Sequence, residues 1–174
     1  GLGGGLYFWL APQWAKAREL EKLQADVKEA LKAFRSGDGI SKEEAQRRLL
    51  EHRDRATVAL LAEELDTLTE TLNKNKKLDP GQTEYLTLLC KTLGLLGIRE
   101  GAVEALGRYL EAERSEDQER AIPAGIALCL FGGKEAVDLL SAARNSFGIK
   151  KNFWVQVERF YGRIKVEKEI KTET

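Results

Sequence analysis

Apolar residues recur along most of the chain in steps of three and four, the spacing that lines up side chains on one face of an α-helix. Leu20, Leu23, Val27, Leu31 and Phe34 make one such stripe. It lasts about two heptads, short of the three or four that argue for a coiled coil. It therefore predicts one amphipathic helix over residues 16–36, ended by Ser36-Gly-Asp-Gly39. Val58, Leu61, Leu65, Leu68 and Leu72 form a second stripe. Before it, the polar residues 51–55 allow either a break or an exposed turn. Further stripes run through Tyr85, Leu86, Leu89, Leu93 and Leu96, then Ala102, Val103, Leu106 and Leu110, then Ala136, Val137, Leu140 and Ala143. A last one joins Phe153, Val157, Phe160, Tyr161 and Ile164. Almost everything after residue 12 reads as helix.

Helix-start chemistry agrees with these stripes. Ser41-Lys-Glu-Glu44 has the form of a capping box, with Ile40 before it as a hydrophobic staple. Asp79-Pro-Gly-Gln82 is a second start, with Pro80 at the first helical position. Ser115-Glu-Asp-Gln118 is a third, opening a helix that is expected to run to Gly132 with Pro123 inside it. Asn152 is a candidate cap for the last helix, and Pro12 suits the first turn of the earliest one. Asn73–Lys77 reads as a polar loop, and the charged end Lys165–Thr174 is expected to fray.

Two of the predicted helix pairs resemble each other. Thr92-Leu-Gly-Leu-Leu-Gly97 followed by Ala102-Val-Glu-Ala-Leu106 recurs as Ala127-Leu-Cys-Leu-Phe-Gly132 followed by Ala136-Val-Asp-Leu-Leu140. The offset is 35 residues in the first part and 34 in the second. A period of roughly 20–50 residues is the mark of stacked repeat architectures, in which neighbouring pairs bury faces that no single pair can bury. Gly97 and Gly132 fall where a helix commonly ends in a left-handed residue. Ala102 and Ala136 would let helices approach closely.

These residues resemble HEAT-like repeats, the type also seen in phycobilin lyases. The likeness covers about residues 81–145, and Pro123 is in keeping with it, since HEAT first helices are often kinked by proline. Tetratricopeptide repeats are a rival resemblance: Pro80, Leu86, Leu89, Gly97 and Ala102 fit their pattern, whereas Tyr109 and Pro123 fit it poorly. Either family implies an all-α fold. The expectation is a short α-solenoid of antiparallel helix pairs over residues 41–168, preceded by a long N-terminal amphipathic helix and followed by a polar tail, 169–174. The resemblance implies a surface for holding a partner rather than a particular reaction.

Composition narrows the function. Lys+Arg and Asp+Glu balance at 28 each, so no global field draws in nucleic acid, and none is expected as a partner. From Asn145 to Thr174 seven basic residues face four acidic ones, a surplus read as a solvated helix face and tail. Cys90 and Cys129 lie in apolar helical stretches, where free cysteine behaves as a small hydrophobe; a disulfide between neighbouring repeat helices is the alternative. His52, in the run Glu51–Arg55, is expected to be solvated. With one histidine, no metal-ligand spacing, no phosphate-binding loop and no nucleophile elbow, an enzyme is not the leading class. No cofactor and no metal are expected.

The first fifteen residues, Gly1–Ala15, carry no charge. A membrane-spanning helix needs about 20 apolar residues, so this segment reads as the trailing end of a longer apolar helix. Tyr7, Phe8, Trp9 and Trp14 then sit at a membrane interface, where aromatic side chains gather. The alternatives are a flexible Gly3-Gly4-Gly5 leader with its aromatics in the domain core, or a fully soluble protein. The mixed charges that follow (Lys16, Arg18, Glu19, Glu21, Lys22) leave the side of the membrane open.

Two protein-binding surfaces are expected. Glu100, Glu104, Arg108 and Glu111 share one face of the second helix of the first unit. Phe147, Phe153, Trp154, Phe160 and Tyr161 should mostly plug the end of the stack, with Trp154 off the main stripe as an exposed anchor. The leading expectation is a non-catalytic scaffold or assembly subunit of a membrane-associated complex. The alternatives are a soluble adaptor and, after it, a lyase-like or nucleic-acid-acting enzyme.

Overall fold

The computed structural model describes the backbone of residues 2–113, 118–148 and 151–173, and side chains within those segments from 13 to 163. Among the described residues the fold is all-helical, with eight α-helices, one 3-10 turn and no strand. The chain divides into two compact units, Gly1–His52 and Arg53–Thr174.

The first unit is a helix pair, α1 (Leu2–Ser36) packed on α2 (Lys42–Glu51). α1 is a single element, so the boundary expected near residue 15 is not a break in structure. Pro12 accordingly lies inside the helix rather than in its first turn. A proline removes one intrahelical hydrogen bond, and the good helix formers that follow, Ala15 through Leu20, propagate the helix past it. The apolar stripe of α1 is only half used. Val27, Leu31 and Phe34 are buried with Ala30 and Ala33, whereas Leu20 is 47% exposed. Ser41 caps α2 by accepting from the Glu44 amide at 3.1 Å. The Glu44 carboxylate is taken up by Arg47 and Arg48. The paired arginines, Arg47 above all, hold that carboxyl down at about 2. His52 ends α2, its backbone N–H donating to the Leu49 carbonyl. Its imidazole is partly shielded rather than solvated, with Nε2 3.5 Å from Asp26.

The second unit holds α3 (Arg55–Asn73), α4 (Pro80–Leu96), α5 (Ala102–Ala112), a 3-10 turn (Gln118–Ala121), α6 (Ile122–Phe131), α7 (Gly133–Phe147) and α8 (Asn152–Glu173). Residues 51–55 contain a true break, because Asp54 caps α3 by accepting from the Thr57 amide at 2.7 Å. Asp79 and Gln82 form both halves of the expected capping box at α4. Gly97 ends α4 at φ +69°, a left-handed conformation that side chains with a Cβ adopt at a cost.

The expectation for the helix before Gly132 needs correction. Ser115–Asp117 of the third capping box lie outside the described residues, and Gln118 begins the 3-10 turn. α6 starts only at Ile122, so Pro123 stands in its first turn and kinks nothing. There its missing N–H has no intrahelical partner to lose, and its fixed φ suits the helix start.

Packing in this unit follows one rule. α3 packs on α5, α4 on α6, α5 on α7 and α6 on α8, and each helix also meets its successor. Three glycines let these helices come close, one of them Gly107 of α5, where a Cβ would stand 2.8 Å from Leu139 of α7. A Cβ on Gly94 of α4 would stand 3.0 Å from the Ala127 Cβ of α6. One on Gly125 of α6 would stand 2.6 Å from Val157 of α8. The core between the layers contains Leu65, Leu86, Leu89, Leu93, Leu106, Leu128, Phe153 and Val157, all nearly or fully buried, together with Ala102 and Ala136. Val137, placed by spacing on the apolar stripe of α7, is exposed instead.

Candidate functional site

The face expected on α5 is an ion-pair row. Arg108 donates from Nε and Nη2 to the two carboxylate oxygens of Asp66 on α3, each at 2.9 Å. Asp66, as hydrogen-bond partner, raises the Arg108 pKa further above its ordinary value. Glu104 turns back and accepts from the Gly101 amide at 2.9 Å, capping its own helix. Glu100, just ahead of α5, pairs with Arg55 at 3.1 Å. Glu104 and Arg108 are therefore close together and exposed, and each is engaged in holding α5 in place.

Trp154 is half-buried, not the exposed anchor expected. The Arg144 guanidinium of α7 lies 5.3 Å from its ring centroid, a cation–π arrangement. Being off the main stripe of α8 turns Trp154 toward α7. Beside it Phe147 and Phe153 meet edge to face at 4.9 Å, and both are buried.

Of the N-terminal aromatics, the side chains of Tyr7, Phe8 and Trp9 lie outside the described residues. Trp14 is 68% exposed, and so is every residue from Gln13 to Lys22 to a comparable class. Among the described residues, no helix is long and apolar enough to cross a membrane.

Three features escaped the sequence reading. The first is a buried polar cluster. The Tyr109 hydroxyl donates to Glu113 Oε2 at 2.8 Å, and Arg120 donates to both oxygens of the same carboxylate at 2.6 and 2.7 Å. The Glu113 side chain has no solvent exposure and that of Arg120 very little. Burial, followed by the neighbouring Glu113 charge, pushes the Tyr109 phenol well above its ordinary range. The cluster pins the end of α5 to the turn that precedes α6. The only hint in the sequence was Tyr109 itself, too large for a small-residue repeat position.

The second is Arg99. From the turn after α4 its Nη2 reaches the carbonyls of Phe131 at 2.8 Å and Gly132 at 2.6 Å. A cation at a helix C-terminus is favoured by the helix dipole and satisfies carbonyls that lack intrahelical partners.

The third is a pair of exposed leucines, Leu95 on α4 and Leu130 on α6, at 47% and 43%. They are 35 residues apart and occupy the same position in the repeated motif. Leu95 lies off the buried stripe of α4, which was the signal available.

The thiols of Cys90 and Cys129 are free and buried. Burial pushes Cys90 far above the ordinary thiol range and Cys129 up to about 11. Protonated and shielded, they behave as core side chains. Among the described residues no group of three or more His, Cys, Asp or Glu side chains is arranged to hold a metal.

Among the described residues the fold is all-helical, with the buried Glu113 carboxylate held by Arg120 and Tyr109 and with both ion pairs and apolar side chains on the surface. No protein-family model matches the chain, and neither curated proteins nor solved structures give a match.

Proposed function

We propose that this protein is a non-catalytic helical-repeat scaffold, an assembly subunit of a membrane-associated complex. One observation carries the reading: α1 leaves Gln13 to Lys22 exposed, Trp14 and Leu20 among them, where the charge-free segment Gly1–Ala15 gives way to charged residues. Large apolar side chains left exposed along the middle of a long helix suit an interaction surface, and aromatic residues beside the first charges suit a membrane interface.

The helix neighbours in Arg53–Thr174 support a short α-solenoid of antiparallel pairs, HEAT-like or tetratricopeptide-like. Each helix meets the next and the next but one, as stacked pairs require. The repeated motif falls on α4 with α5 and on α6 with α7, and the short links at Gly97–Gly101 and Gly132 suit antiparallel neighbours. A structural use of the buried Tyr109–Glu113–Arg120 cluster supports the non-catalytic half of the reading.

Flotation with phospholipid vesicles tests it. The full chain is expected to float and a chain lacking residues 1–14 to stay behind, with the shorter chain losing only the helical signal of the deleted turns of α1 and both keeping the same melting temperature. Equal behaviour of the two chains would overturn the membrane half. The second reading is a soluble adaptor, and the repeat-related Leu95 and Leu130 favour it. It predicts partner binding that survives removal of residues 1–14.

A further inference from the structure

α2 stops short of most of α1. His52, at the end of α2, reaches Asp26 with its Nε2 at 3.5 Å, and α1 continues from Asp26 back to Leu2. At the helical rise that overhang measures about 36 Å. From Gln13 to Lys22 every residue of it is exposed. Ala15–Asp26 contains no glycine, proline or β-branched residue. Lys16 with Glu19, Arg18 with Glu21 and Lys22 with Asp26 stand at the spacings where opposite charges support a helix. The half of α1 packed on α2 supplies the helix nucleus, so extending it into water costs little.

A helix that lies along a membrane surface buries one apolar face over its whole length. α1 has two faces with a large exposed apolar residue, and neither can serve. The face of Leu20 and Leu23 runs on into Val27, Leu31 and Phe34, which are buried where α2 packs. Laying that face on a bilayer would press α2 into it, with Glu44, Arg47, Arg48 and Glu51. Trp14 lies about 120° round the helix from Leu20. Its own face runs on through Arg18, Glu21, Lys28 and Lys32, each within about 40° of it. All four are exposed, and laying that face down would bury their charges.

We propose that α1 meets a lipid bilayer end-on: its charge-free end enters as far as Trp14, and Ala15–Asp26 is a free-standing helical spacer that holds α2 off the surface. The lengths fit. Leu2–Ala15 measures about 21 Å along the axis, more than half of the roughly 30 Å of a hydrocarbon core. Trp14 then falls at the interface, where aromatic rings gather. Lys16 and Arg18, in the next turn, have stems long enough to carry their charges out to the headgroups. From Trp14 to Asp26 the spacer measures about 18 Å. This inference rests on the membrane reading and gives it an orientation.

The test places a single nitroxide-labelled cysteine in turn at each position from Ala15 to Ala25 of the full chain, bound to vesicles of phosphatidylcholine and phosphatidylglycerol. The unsubstituted chain gives the background, because Cys90 and Cys129 are free but buried. Collisions of the nitroxide with oxygen, which concentrates in lipid, are compared with those with a water-soluble nickel chelate. The ratio is expected to fall steadily from Ala15 to about Leu20 on every side of the helix, and beyond that to match its value without vesicles. A ratio that rises and falls with the helical period as far as Ala25 would mean a helix lying flat and would overturn the proposal. So would dipolar broadening between labels on different chains, which would mean that a second copy covers the arm. Removing residues 17–23, two turns that keep the stripe in register, should bring a dye carried by the Glu51→Cys variant about 10 Å nearer a dye in the lipid, read as a rise in energy transfer. Unchanged transfer would show that the segment is no spacer. Circular dichroism checks that each variant keeps its helices. A chain that does not float with vesicles fails both readings, whereas one that floats with periodic accessibility keeps the membrane reading and loses this one.

Discussion

Glu113 is a carboxylate that water does not reach, 2% exposed as a residue. It holds two N–H donors of Arg120 and the Tyr109 hydroxyl at once. Breaking a buried pair by removing one partner costs about 3–5 kcal/mol. Glu113→Ala is therefore expected to lower the stability of the second unit by about 3 kcal/mol in urea denaturation. Glu113→Gln should cost less, because the amide oxygen still accepts from Tyr109. A loss below about 1 kcal/mol for Glu113→Ala, the scale of one ordinary hydrogen bond, would mean the cluster is not a pin. This pairing was not legible in the chain. Helical periodicity links residues three or four apart, whereas Arg120 lies seven residues beyond Glu113 and past the end of α5.

Elements differ in how their ends are held. α4 is capped locally: Asp79 accepts from the Gln82 amide at 2.7 Å, and the Gln82 side chain accepts from the Asp79 amide at 3.0 Å. Asp79→Ala should cost about 1 kcal/mol, measured as a matching fall in the urea midpoint with an unchanged slope. An unchanged midpoint would show that tertiary packing, not the cap, sets the start of α4. Such caps are legible because their partners are three residues apart. α6 has no side-chain cap at its start; it follows a 3-10 turn and takes Pro123 into its first turn. Its far end is held by Arg99, more than thirty residues away in sequence. No local pattern carries that contact, and it is the capping-box form of Ser115–Gln118 that places Pro123 inside the helix rather than at its beginning.

At the scale of the molecule, Arg53–Thr174 has its own buried core running from α3 to α8. Expressed alone, this segment is expected to keep its helical circular dichroism and to unfold in one cooperative transition. A broad, non-cooperative melt would show that it does not form an independent unit. The sequence by itself determined that the protein is helical, where most helices begin and end, and that one short motif recurs 35 residues on. Those properties depend on side-chain period, caps and glycine punctuation, all local along the chain. Only the tertiary structure decided which apolar residues are left over and which charges are already spent. Leu95 and Leu130 stay exposed beside the close approach of α4 and α6 at Gly94. Arg108, Glu104 and Trp154, each a plausible surface contact by position, are engaged by Asp66, the Gly101 amide and Arg144. Exposure and pairing depend on what another segment does at the same point in space, and that is a property of the packed fold.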